Sequence, residues 1–137
     1  MEFITVEQFK EQPVEVQKVF LDWWKCEVFD IYAWAWNIDE NNWCIESCYN
    51  QIQADTINKF KKGITTTIPL FTEGQLRKFI EDKTGGKVDA SFNGETYTVY
   101  SNEDFGLIIK MYEDIDDDLL QAYWKVACMV AKEGLNG

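Results

Sequence analysis

A chain of 137 residues with 46% hydrophobic and 15% aromatic content can bury a real core and is too apolar to be intrinsically disordered. Its 24 acidic and 13 basic residues leave a net charge of −11, which disfavours direct binding to nucleic acid or anionic membranes, because both reward Lys and Arg. Nothing in MEFITVEQFKEQ reads as a secretion signal, and no apolar run approaches the ~18 residues a membrane span needs, so a single cytoplasmic domain is expected.

Thr5 followed by Gln8 has the capping-box spacing of a short helix, and Pro13 suits the opening of a second, where its missing N–H costs nothing. Val16, Val19, Phe20 and Trp23 then recur at i, i+3, i+4 and i+7, one apolar stripe of an amphipathic helix. VFDIYAWAWNI, from Val28 to Ile38, is rich in β-formers, and alternation places Tyr32, Trp34 and Trp36 on one side of a strand. The turn signal DENN (Asp39 to Asn42) leads to a return strand, WCIESCY, so a β-hairpin is expected. QIQADTINKFKK, Gln51 to Lys62, carries Ile52, Thr56, Ile57 and Phe60 at near-helical spacing, which suggests a short helix ending before Gly63.

The next helix is clearer. Thr72 caps it, Gln75 completes the box, Leu76, Phe79 and Ile80 form its stripe, and Gly85 or Gly86 stops it. KVDASF and ETYTVY flank Asn93-Gly94, the pair favoured in a type I′ hairpin turn. Ser101 with Asp104, and Phe105, Ile108, Ile109 and Tyr112 at helical spacing, predict a helix; Gly106 weakens it, leaving a strand as the alternative. The last helix carries Leu120, Tyr123, Trp124, Ala127, Val130 and Ala131 on one face up to Gly134. Helices and hairpins in blocks, without βαβ alternation, imply an α+β fold of amphipathic helices packed on short antiparallel β-hairpins.

Asp114, Asp116 and Asp118 have the D-x-D-x-D spacing of a calcium loop, but Leu119 stands where that loop needs Gly and Lys125 where it needs a bidentate Glu. The carboxylates are better explained as caps for the following helix, with those left at the surface offered to Lys or Arg of a partner. Cys44 and Cys48 would lie ~13 Å apart along a strand, too far for one ion, and the chain has no His; no metal and no cofactor are expected. The four cysteines, Cys26, Cys44, Cys48 and Cys128, read as reduced, buried thiols. Nucleophilic catalysis by Cys would lack its usual base, and Gly85-Gly86-Lys87 follows a helix instead of opening one, so neither an enzyme nor a phosphate loop is expected. Adjacent Trp23 and Trp24 point apart on a helix, so part of the aromatic set, with Trp24, Trp34 and Trp36 as candidates, is expected to form a partner or self-association surface; Asp114, Asp116, Asp117 and Asp118 are the acidic candidates for partner binding.

ITVEQFKEQPVEVQKVFLDWWK, IPLFTEGQLRKFIEDKTGG and DLLQAYWKVACMVAKE together resemble segments of uncharacterised small acidic proteins of bacteriophages and prophages of Gram-positive bacteria. They cover somewhat less than half of the chain, and the group has no catalytic motif to transfer. The resemblance implies a non-enzymatic accessory factor, such as an anti-CRISPR inhibitor, acting in the host cytoplasm on a basic host protein such as an effector nuclease, with the Asp cluster as a nucleic-acid mimic. The alternatives are a phage adaptor or regulatory module, dimeric through its aromatic face, and a protein that binds a nucleotide signal.

Overall fold

In a computed structural model the structure describes residues 2–36, 41–60, 65–103 and 106–136. The fold is α+β: the described residues form five helices and two three-stranded antiparallel sheets. The chain divides into two compact units, Thr5–Phe71, and Met1–Ile4 with Thr72–Gly137.

In the first unit α1 (Val6–Lys10) begins with the expected capping box, Thr5 Oγ1 accepting from the Gln8 N–H and Gln8 Oε1 from the Thr5 N–H. Pro13 is the N-cap of α2 (Val14–Trp23), one residue earlier than a first helical turn. Val16 and Phe20 of its stripe are buried, and Val19 and Trp23 are half-buried. Phe20 lies 6.2 Å from Phe9 and 5.6 Å from Phe71, with Trp23 edge-on to Phe71 at 5.8 Å, so aromatic rings make the core that holds the two helices.

β1 (Ile31–Trp36) pairs antiparallel with β2 (Cys44–Ser47), the expected hairpin, and on its other side with β3 (Thr65–Pro69). The hairpin connection at Asp39 and Glu40 lies outside the described residues. β3 was not foreseen: TTTIP is short, reads as the approach to a helix, and becomes a strand only through its distant partner. β1 is therefore the central strand, with Ala33, Ala35 and Ile68 buried on one face and Tyr32 on the other. α3 (Gln51–Phe60) forms; Ile57 is half-buried, and the side chain of Phe60 with Lys61, Lys62 and Gly63 lies outside the described residues. Ala54 is buried and Asn58 bonds both the N–H and the C=O of Cys26, while Ile52 is exposed. A small residue and an amide that satisfies a loop backbone outcompete the isoleucine for the inner position.

In the second unit α4 (Glu73–Thr84) follows the expected design: Thr72 and Gln75 form its capping box, Leu76, Phe79 and Ile80 are buried, and Gly85 ends it at φ 78°. A Cβ on Gly86 would stand 2.6 Å from the Asn102 carbonyl oxygen, so the chain can turn into the sheet there only as glycine. β4 (Lys87–Phe92), β5 (Tyr97–Asn102) and β6 (Ile108–Asp116) form an antiparallel meander with β5 central. The β4–β5 hairpin is as expected, but its turn is not type I′. Gly94 has φ 97°, Asn93 is not among the described residues with positive φ, and the Asn93 side chain accepts instead from the Glu95 and Thr96 N–H groups.

The helix expected around residues 104–112 is corrected to a strand; Asp104 and Phe105 lie outside the described residues, and Ile108, Ile109 and Tyr112 belong to β6. Gly106 at φ 84° breaks helical continuity, and β-branched residues beside the β4–β5 hairpin gain ladder pairing with β5. α5 (Leu119–Asn136) passes through Gly134 without ending. All six residues of its expected face are buried, as are Ala122, Val126 and Cys128, so the buried face is wider than expected and leaves only the side of Lys125, Met129, Lys132 and Glu133 exposed before the last residues; the helix packs on α4 and on β5 and β6.

Candidate interaction surface

The stretch EDIDDD spans the end of β6 and the entry to α5, and most of its carboxylates have internal work. Between Val99↔Tyr112 and Tyr97↔Asp116 the β6 register slips by two residues, and the bulge is built on Asp114 at φ 50°. Asp114 Oδ1 accepts from Thr96 Oγ1 (3.0 Å) and Asn93 Nδ2 (3.4 Å), tying the bulge to the hairpin turn. Asp116 Oδ2 accepts from Lys125 Nζ at 2.7 Å and its Oδ1 from the Asp118 N–H at 2.9 Å. The Lys125 bond, reinforced by that N–H, holds the Asp116 carboxyl below its usual range. Asp118 caps α5, its Oδ2 accepting from the Gln121 N–H at 3.0 Å.

Capping was the expected role for this segment, and Asp118 fulfils it; Asp114 and Asp116 instead anchor a bulge and a strand-to-helix ion pair. Glu113, Asp114, Asp117 and Asp118 remain exposed. Since a carboxylate has about four acceptor sites, Asp114 and Asp118 retain capacity for a partner.

β6 lies at the edge of its sheet, and Leu107 just before it and Ile108, Ile109 and Met111 in its first half are apolar and exposed. Lys110 Nζ reaches Glu133 of α5 at 2.7 Å and sits 5.8 Å above the Tyr112 ring, whose hydroxyl also donates to Glu133 at 3.3 Å. Burial, followed by the Glu133 charge, pushes the Tyr112 phenol up to about 12. Lys125, Met129 and Glu133 follow at i, i+4 and i+8, so they line one side of α5 along β6. Met129, 39% exposed, is thus set between the Asp116–Lys125 and Lys110–Glu133 pairs. An apolar strip continues directly into a carboxylate cluster on one edge.

No family model, curated protein or solved structure matches the chain.

The aromatic candidates separate. Trp24 is 1% exposed, with its indole N–H donating to Asp30 Oδ2 at 3.2 Å, so it is a core residue and not the anchor expected; as the C-cap of α2 it leaves the helical path and turns inward. Trp34 and Trp36 share one face, as alternation required, with rings 5.7 Å apart and nearly perpendicular; Trp34 is half-buried and Trp36 53% exposed. Phe29 belongs to the β-forming run Val28 to Ile38, whose composition predicts a strand. It occupies instead a turn closed by the Asp30 N–H on the Glu27 carbonyl, at φ 77° and 78% exposed, with its N–H donating to the Cys48 carbonyl at 2.7 Å. No residue pattern signals this, since aromatic side chains ordinarily avoid that backbone region.

The groups with shifted acidity are shifted toward inertness. Tyr32 donates to Glu46 Oε2 and accepts from Gln53 Nε2, both at 2.8 Å, and burial with the Glu46 contact raises its pKa. Burial likewise raises Tyr123 and pushes the Cys128 thiol up to about 12. Cys26, Cys48 and Cys128 are buried free thiols as expected, whereas Cys44 is exposed on the outer strand β2. Two open hollows, about 430 and 390 Å³, flank the starts of α5 and α4; both include Glu2, with Asp118 in one and Glu73 in the other. Carboxylates on their walls disfavour a phosphate-bearing ligand. No described helix is long and apolar enough to cross a membrane.

Proposed function

We propose that this chain is a non-enzymatic, phage-derived inhibitor that binds a basic host antiviral effector of the CRISPR-Cas type in the host cytoplasm. The observation that carries the reading is the β6 edge, where Leu107, Ile108, Ile109 and Met111 run into the exposed carboxylates of Glu113, Asp114, Asp117 and Asp118. Such an edge combines desolvated contact with charge complementary to a Lys/Arg-lined channel. The inert protonation states of Tyr32, Tyr112, Tyr123 and Cys128 support the non-enzymatic part, because catalytic groups are tuned toward the working pH and these are tuned away from it. Fourteen of the 24 acidic residues and seven of the 13 basic ones fall in the unit that carries β6, which reinforces attraction to a basic partner.

The test is competition with guide or target nucleic acid for a purified RNA-guided nuclease across a salt series. Inhibition that weakens steeply with salt, and weakens about tenfold further on combining Glu113→Gln with Asp117→Asn, is the expected result. Binding indifferent to salt and to both substitutions removes the electrostatic mechanism. Binding without loss of nuclease activity replaces the inhibitor with an adaptor.

A further inference from the structure

Resting on that reading, we infer that Leu107 and the outer edge of the first residues of β6, 108–111, accept an extended segment of the partner as an added antiparallel strand, with the segment's basic residues preceding its β-branched ones. Among the described residues β6 has a strand neighbour on one side only, so its other side is a sheet edge with backbone donors and acceptors directed away from β5. Leu107, Ile108, Ile109 and Met111 place apolar side chains along the same stretch, and Met129 of α5 extends it between two ion pairs. Backbone pairing with side-chain pockets alongside is the geometry of recognition by strand addition.

Charge and shape choose the occupant. Both neighbouring pairs in this sheet are antiparallel, and an antiparallel newcomer has its N-terminal part beside residues 113–117, where Glu113, Asp114 and Asp117 are exposed. Lys or Arg there completes the charge, and apolar residues then follow along 107–111. A second copy of this chain fits poorly. Its own edge carries the same carboxylates, and register slips between Ile108 and Lys110 and between Tyr112 and Asp116 bend β6 within the apolar stretch and just beyond it. Two bent rigid edges do not align, whereas a flexible segment follows the twist.

The experiment titrates the ¹⁵N-labelled full chain with a synthetic peptide of a lysine run followed by alternating threonine and isoleucine. Expected are saturable amide shifts and slowed hydrogen exchange across 107–117, abolished when alternate peptide amides are N-methylated or the lysines are replaced by glutamate. Shifts confined to 113–118, or equal binding by the N-methylated peptide, overturn strand addition while leaving the electrostatic reading intact. No shift at any concentration also overturns it, and the nuclease competition then decides the inhibitor reading by itself. Protection of 107–111 that rises with protein concentration without peptide overturns the choice of occupant in favour of a second copy.

Discussion

Replacing Phe29 with glycine is expected to stabilise the protein. At φ 77° a side chain with a Cβ crowds the following carbonyl, a cost of about 1–2 kcal/mol that glycine does not bear. Against this, glycine gains backbone freedom in the unfolded chain, which subtracts about 0.4–1 kcal/mol. The ring is 78% exposed, so its removal forfeits little burial, and the turn is held by main-chain bonds that glycine retains: Phe29 N–H to the Cys48 carbonyl and Asp30 N–H to the Glu27 carbonyl. The balance is a gain of about 0.5–1 kcal/mol, or roughly 2–4 °C in Tm for a chain of this size. Urea denaturation followed by Trp fluorescence reads it as a higher midpoint at unchanged slope. Phe29→Ala is the control, since it removes the ring and keeps the Cβ, and its midpoint should move little. A fall of more than about 1 kcal/mol in Phe29→Gly with Phe29→Ala near neutral would refute the strain argument.

Asp116→Asn should lower stability at neutral pH and leave it nearly unchanged in acid. The folded carboxyl is held below its unfolded value, so its contribution is present above about pH 4 and fades as pH falls through the folded pKa; a wild-type and variant difference that stays constant down to acid would contradict the Lys125 pairing. Thiol labelling of the native protein near pH 8 should modify Cys44 rapidly and Cys26, Cys48 and Cys128 only on unfolding, because one is exposed and three are buried. Mass spectrometry of a brief labelling pulse identifies the site, and early modification of Cys128 would show that its burial is wrong.

Where a signal is local, the residues alone were sufficient. The capping boxes at Thr5/Gln8 and Thr72/Gln75, the stop at Gly85 and the stripes of α4 and α5 all formed, because each depends on partners within about one helical turn. The reading faltered where two local choices were nearly equal. Ile108, Ile109 and Tyr112 satisfy a helical period, yet β5 offers a ladder that a helix cannot use, and the choice passed to pairing with β5, outside the reach of any cap rule.

The acidic cluster and the aromatic set divide in the same way. Asp118 as a cap was readable from its place before an apolar periodic run. That Asp116 would meet Lys125, nine residues on, and that Asp114 would brace the turn at Asn93 and Thr96 required the strand, the bulge and the helix to be in place first. Trp24, Trp34 and Trp36 look alike in sequence, and only packing sends the first into the core and leaves the last at the surface.

The amino-acid sequence thus determined the acidic charge, the α+β class, the caps of α1 and α4 and the inner faces of α4 and α5, since composition, capping and periodicity act over a few residues. Tertiary structure decided that β1 is central, that β6 is a strand with an open apolar edge, and which carboxylates are turned inward. Those outcomes depend on contacts between residues far apart in the chain, and the free energy of such contacts exists only once the fold has brought them together.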